Sequence, residues 1–249
     1  MPIELHRRHG RGSPAKFGIY DRGKEIGEAA APVASRTMLS EAGLAILYQQ
    51  VAHVERERIG GSIVECGVWH GGSSGLMARA SLDHGDGTRT FHLFDSFEGI
   101  PEPIALVDGP RAVREVGGEE RARGRLQVAY DYADRGGPGS EGETRALFQH
   151  VGYAQRGVHV HQGWFQDTVP RVANSIGRIA LLHLDGDWYE STGICLEYLY
   201  EHVSPGGFVT VNDYGAYNGC QCAVDEFFAT IRPRPFLTHV DREIRFWIK

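Results

Sequence analysis

The feature that most constrains this chain is a change of hydrophobic period that repeats from about residue 62 to residue 231. "SIVECGV" is an apolar run of strand length, and "SSGLMARASL" after it carries its apolar residues at helical spacing. "RTFHLFD" and "GVHVHQG" are a second and a third strand. "RIALLHLD" is a fourth, followed by the helix "STGICLEYLYEHV", and "GGFVTVND" is a fifth, followed by the helix "CAVDEFFATI". Parallel strands need a long crossover, usually a helix, so repeated βα units predict a parallel sheet covered on both faces. The last two runs, "PFLTHV" and "EIRFWIK", alternate and are near neighbours, which predicts a closing antiparallel pair.

The remaining segments frame that sheet. Residues 1–35 are rich in Gly, Pro, Arg and Lys without sustained periodicity and read as an N-terminal arm. From Met38 to about Arg58 apolar residues recur at helical spacing, with Ser40 and Glu41 as start signals. Residues 36–249 then form one α/β domain, a size that 249 residues support. Residues 101–143 are Gly-rich and charged; a connection this long beside the ligand edge of a sheet predicts a substrate lid. The net charge of −6 argues against a nucleic-acid partner. No apolar run approaches the roughly 20 residues of a bilayer span, and no signal-peptide pattern is present, so a cytoplasmic protein without a membrane partner is expected. Cys66, Cys195, Cys220 and Cys222 lack the spacing of a zinc site and are expected to be reduced thiols.

Four places could carry chemistry. In "VECGVWHGGSS" a strand ends at Glu65 and Gly67, and a Gly-rich turn opens a helix at Ser73; free N–H groups there favour an anionic ligand group. Asp95 ends the second strand, where an acid accepts hydrogen bonds from ribose hydroxyls in open nucleotide-binding sheets. In "GWFQDTVP", read as a loop after the third strand, Trp164 and Phe165 offer apolar surface to an adenine ring, and Gln166 or Asp167 an acceptor for its amine; a core plug is the alternative. Asp185 ends the fourth strand and Asn212-Asp213 the fifth. Adjacent strands lie about 5 Å apart, so these oxygens can converge on a hard divalent cation, Mg²⁺ above all. A buried acid is tolerable when it coordinates metal.

In order and spacing, E-x-G-x-x-x-G-G-S, "FDSFEGIPEP", "GWFQDT", "LDGDWYES" and "VNDY" resemble the macrocin and novobiocin type sugar O-methyltransferases, over roughly residues 36 to 249. More distantly the chain is similar to catechol O-methyltransferase. The resemblance implies a class I methyltransferase fold, a Rossmann-like sheet of order 3-2-1-4-5-7-6 with strand 7 antiparallel, using S-adenosylmethionine and Mg²⁺. By position it implies that Glu65, Gly67, Val68 and Trp69 line the methionine end of the cofactor. Asp95 would hold the ribose, with Ser96 and Phe97 beside it, and Trp164, Phe165 and Gln166 would meet adenine. Thr37 and Met38 would close over the cofactor, and Asp185, Asn212 and Asp213 would hold the metal. Relatives commonly carry Asp-Asp where this chain has Asn212-Asp213.

The expected substrate is a glycoside or nucleotide sugar from natural-product (antibiotic) biosynthesis, with a phenol or catechol aglycone as the alternative acceptor. For the proton, Asp185 and Asp187 are the candidate bases, with His150 of the lid as a competitor. A nucleotide-binding oxidoreductase would also want the Gly turn and Asp95, yet gives no reason for Asp185 and Asn212-Asp213 to converge. A homo-oligomer is a further expectation.

Overall fold

The computed structural model describes residues 23–249. In chain order its strands are β1 (Ser62–Cys66), β2 (Phe91–Asp95), β3 (Ile100–Pro101), β4 (Val128–Tyr130), β5 (Val158–Gln162), β6 (Ile179–Leu184), β7 (Val203–Val211), β8 (Thr238–His239) and β9 (Arg245–Ile248). The α-helices are α1 (Gly23–Ala30), α2 (Glu41–Arg56), α3 (Gly72–His84), α4 (Ala105–Glu115), α5 (Glu141–His150), α6 (Phe165–Ile176), α7 (Tyr189–Leu199) and α8 (Asn218–Thr230).

Seven strands form one sheet in the order β5-β2-β1-β6-β7-β9-β8, and β3 and β4 form a separate hairpin. The five strands from β5 to β7 are parallel, β9 is antiparallel to β7, and β8 is antiparallel to β9. With the hairpin left out of the count, this is the order 3-2-1-4-5-7-6 that the resemblance implies. Every residue of β1 and of β6 is buried, which is why both read as unbroken apolar runs rather than alternating ones. One helical layer, from α1, α2, α3 and α5, packs Leu47, Val51, Leu76 and Phe148 with Ile63, Phe91 and Leu181 of the sheet. On the other face α6, α7 and α8 bury Val169, Leu196 and Phe228 with Val64, Leu182, Val209 and Trp247. Each such side chain contributes about 1.5–3 kcal/mol through burial.

Ser40 starts α2 as expected, its hydroxyl accepting from the Gly43 N–H at 3.0 Å. Three expectations need correction. The arm does not reach residue 35: α1 buries Ile26 and Ala29 in the same core as α2 and α3, and only residues 1–22 of it lie outside the described residues. "GWFQDTVP" is not a loop, because Phe165 and Gln166 form the first turn of α6, with Trp164 as its cap residue. Pro170 within that helix and the aromatic pair at its start hid its period. Residues 101–143 are not a structureless insertion either. They contain α4 and the β3–β4 hairpin, and place Ala112, Val116, Ala122 and Ala129 in the main core.

Candidate active site

A cleft of about 290 Å³ opens at the carboxyl ends of the parallel strands. It straddles β1 and β6, where the chain order reverses direction across the sheet, which is where open α/β sheets bind ligands. Gly67 makes the closeness of these two strand ends possible. Its φ is +94°, and an added Cβ would stand 1.9 Å from the Asp185 carbonyl oxygen. The Asp185 N–H donates to the Cys66 carbonyl at 2.8 Å, so the two loops leave the sheet tied together.

At one end of the cleft Asp95 organises the turn after β1. One carboxylate oxygen accepts from the N–H groups of Val68 (2.6 Å) and Trp69 (2.8 Å), and the other from Phe97 (2.7 Å). A carboxylate has about four acceptor sites, so one is left for a ligand hydroxyl. Burial nonetheless raises the Asp95 pKa, against the pull of these three donors. The turn is therefore closed on itself and is not the open anion cradle that its glycines suggest. The start of α3 is closed as well, since a Cβ on Gly72 would stand 2.5 Å from the Arg36 carbonyl oxygen.

Thr37, Met38, Gly67, Val68, Trp69, Ser73, Asp95, Ser96, Trp164, Phe165, Gln166, Asp185, Asp187, Asn212 and Asp213 all line the cleft. Trp164 and Phe165 are half-buried on its wall, and Phe165 also packs against the main core. Glu65 and Phe97 are not part of the lining. Glu65 is fully buried in β1 beneath the α2–α3 layer, paired with His183 Nδ1 at 2.9 Å and accepting from the Ser74 hydroxyl. Phe97 turns its ring into the same core. His150 is exposed at the end of α5, away from the cleft, and so is no base for its chemistry.

The acids at the centre of the floor crowd one another. Asn212 donates its amide to Asp185 at 2.9 Å and to Asp213 at 3.3 Å, and the Asp187 N–H donates to Asp213 at 3.1 Å. Burial, reinforced by the charge of Asp187, pushes Asp185 up to about 7. Burial and the neighbouring carboxylates also raise Asp187 and Asp213 well above the ordinary range. The cluster thus concentrates three buried carboxyl groups at one point of the floor. Among the described residues no three acid, histidine or cysteine side chains gather closely enough to hold a metal by themselves. Two carboxylates and an amide oxygen are nevertheless a hard donor set that suits Mg²⁺, and a cation would relieve their repulsion. The Asn212 amide would have to turn over to present oxygen in place of its NH₂ group.

The far end of the cleft was not resolved by sequence reasoning. Tyr132 and Tyr217 form aromatic walls there, beside the ion pairs Arg111–Glu243 (2.6 Å) and Arg135–Glu115 (3.2 Å). Arg111 also lies over the Tyr217 ring, 5.0 Å from its centroid. Arg111, Glu115, Tyr132 and Arg135 belong to the 101–143 segment, whose position gave the only signal; Tyr217 closes the quoted run "FVTVNDYGAY".

A family model, the macrocin O-methyltransferases (TylF), matches residues 3–249. The chain is 36% identical to the 8-demethyl-8-(2,3-dimethoxy-alpha-L-rhamnosyl)-tetracenomycin-C 4'-O-methyltransferase of Streptomyces olivaceus over 216 residues, 87% of this chain and 76% of that one. With the same coverage it is 34% identical to the demethyldecarbamoylnovobiocin O-methyltransferase of Streptomyces niveus. The solved structure of the O-methyltransferase NovP superposes with a TM-score of 0.69 at 35% identity, covering 86% of this chain and 82% of that one. With a class I methyltransferase sheet and a match over nearly its whole length, the chain is an O-methyltransferase and belongs to the macrocin O-methyltransferase (TylF) family.

Proposed function

We propose that this protein methylates a sugar hydroxyl of a neutral natural-product glycoside, using S-adenosylmethionine and Mg²⁺. The observation that carries the substrate class is the charge of the cleft. Asp95, Glu115, Asp185, Asp187, Asp213 and Glu243 line it against only Arg36, Arg111 and Arg135. Arg111 and Arg135 are each already paired with a glutamate. With both guanidiniums at that end so engaged, a diphosphate finds no free bidentate anchor there, and an uncharged glycoside needs none. The first matched relative is named for 4'-O-methylation of a rhamnosyl-tetracenomycin and the second for methylation of demethyldecarbamoylnovobiocin.

The cleft divides the work along its length. Asp95 offers its remaining acceptor site to a ribose hydroxyl, and Trp164, Phe165 and Gln166 face adenine. Gly67, Val68 and Trp69 form the floor of the methionine end, with Thr37 and Met38 above it. S-adenosylmethionine supplies an electrophilic methyl group on a sulfonium, so the acceptor oxygen must be held in line with the methyl–sulfur bond. A Mg²⁺ ion held by Asp185, Asp213 and Asn212 would supply the Lewis acidity that eases ionisation of the acceptor hydroxyl. Asp187 takes the proton. It lines the cleft together with Arg111, Glu115, Tyr132 and Tyr217 of the far end. As the carbon–oxygen bond forms, the sulfur leaves with its electron pair and the hydroxyl proton passes to the Asp187 carboxylate.

The test is incubation with S-adenosylmethionine, Mg²⁺ and a panel of rhamnosyl and related glycosides, nucleotide sugars and catechols, read by mass spectrometry. A glycoside one methyl group heavier, lost with excess chelator, is expected. Methylation confined to nucleotide sugars or catechols would overturn the substrate class. Undiminished turnover in chelator would overturn the role of the cation.

A further inference from the structure

Asp108 lies in α4, within the segment that the sequence offers only as a lid, and is 1% exposed. Its carboxylate has no cationic partner within ion-pair distance among the described residues, yet it accepts two backbone hydrogen bonds from different parts of the fold. One oxygen accepts from the Ile104 N–H at 2.6 Å, closing the start of its own helix. The other accepts from the Tyr189 N–H at 2.8 Å, 81 residues away, at the first position of α7. That helix has no side-chain cap of its own, because its cap residue is Trp188. Asp108 therefore supplies from another segment the acceptor that Ser, Thr, Asp or Asn usually supplies locally.

The contact also reaches α8. A Cβ on Gly219 would stand 1.8 Å from the Asp108 carboxylate, so glycine is needed for the approach. The first turn of α4 and the starts of α7 and α8 thus meet at one buried acid, whose pKa burial raises against the pull of its two backbone donors. Two residues before Tyr189 is Asp187, a non-glycine residue at φ +59°. Such a conformation persists only where its surroundings over-determine it. The turn is held by the Trp188 N–H donating to the Gly186 carbonyl at 2.6 Å, the Asp187 N–H on Asp213, the Trp188 indole donating to the Pro101 carbonyl at 2.9 Å, the Trp188 ring against Tyr217, and Asp108 on Tyr189. Two of these hydrogen bonds come from residues 101–108.

We propose that Asp108 is a positioning residue for methyl transfer. It anchors the turn from Asp185 to Trp188 and so holds Asp187 in the left-handed conformation that faces the acceptor. The segment 101–143 is then a brace for the catalytic turn as well as a cover for the cleft. This rests on the reading that Asp187 takes the proton.

The experiment compares Asp108→Asn, Tyr189→Pro and Asp187→Asn in the full chain, with a glycoside that the wild type methylates. Tyr189→Pro removes the N–H that Asp108 receives, together with the phenol ring, at a helix position that tolerates proline. Trp188, at φ −100° and ψ 165°, already has the backbone a residue before proline adopts. Tyr189→Phe controls for the lost hydroxyl, which donates to Glu226 on the surface. Asp108→Asn and Tyr189→Pro are expected to lower kcat about 10- to 100-fold, the loss that follows misplacement of a reacting group by about 1 Å. The Kd for S-adenosylmethionine and both KM values should stay within about twofold, and Tyr189→Phe should match the wild type. A purely structural role would lower Tm and leave kcat unchanged well below it, which would overturn the proposal. If Asp108→Asn does not fold, Tyr189→Pro decides alone. Should Asp187→Asn keep wild-type kcat, the base reading fails and the proposal with it. Should Asp187→Asn be inactive while Asp108→Asn and Tyr189→Pro keep kcat within twofold, only the proposal fails.

Discussion

Two glycine and glutamate positions in β1 and its turn show how one residue can be legible in kind and illegible in placement. Gly67 is needed twice over, by its positive φ and by the Asp185 carbonyl against its Cα. Gly67→Ala is expected to destabilise the fold by at least about 1–3 kcal/mol from backbone strain alone. It should also force the two strand ends apart and lower turnover more than tenfold; thermal unfolding and initial rates check both. Glu65, two residues earlier, has the residue type of a ligand-edge acid but points the other way. Its burial beside His183 makes it a tie between β1 and β6. Glu65→Gln is expected to cost about 1–3 kcal/mol in unfolding free energy. The Kd for S-adenosylmethionine should change less than threefold, so calorimetric binding beside denaturant unfolding separates a structural acid from a cofactor ligand.

At the scale of elements, the edge strand β5 shows what a sequence of alternating histidines does in a sheet. Parallel pairing sets His92 opposite His159, with His161 on the same face. The His92 ring stacks on both, with centroids 5.0 and 5.3 Å apart, and His92 Nδ1 lies 3.0 Å from His161 Nε2. Burial, and then repulsion from neighbouring cations, pushes His92 and His161 down to about 4. The unfolded chain binds these protons near pH 6.5, so it binds more protons than the native state between about pH 6.5 and 4. The stabilisation is whole above pH 6.5 and is lost as pH falls through that window. The Tm of the wild type should fall across it, and His161→Gln should flatten the slope; a wild-type Tm independent of pH there would contradict the shifts. The five parallel strands and the helices α2, α3, α7 and α8 were legible because each repeats a local period. Helix α4 was not, because Gly109 and Pro110 interrupt it. Helix α6 was not, because its first turn is aromatic and Pro170 sits inside it.

For the molecule as a whole, the cleft at the strand ends gathers the acidic cluster on its floor. Asn212 now separates Asp185 and Asp213 with its amide hydrogens. Asn212→Asp would replace that donor with a third carboxylate. It is expected to lower Tm in chelator through like-charge repulsion and to tighten Mg²⁺ binding about tenfold, because affinity follows ligand charge. Tm with and without Mg²⁺, and calorimetric titration of the metal alone, check this without reference to turnover. A variant whose Tm ignores Mg²⁺ would remove the cation from the cluster.

The sequence by itself determined the alternation of strand and helix, the acids and amide at the strand ends, and the order of motifs that belongs to this family. Those properties are written within one strand or one turn, where steric period and side-chain chemistry act over a few residues. Only the tertiary structure decided that Glu65 faces the core and that residues 101–143 both enter the core and line the cleft. It alone brought Arg111, Tyr132, Tyr217 and Glu243 to the acceptor end of the cleft. The facing of a strand residue depends on register with its neighbours, and the meeting of α4, α7 and α8 at Asp108 depends on packing between segments 81 residues apart. No local pattern carries that information, because the hydrogen bonds and burial that fix it exist only once the sheet has closed.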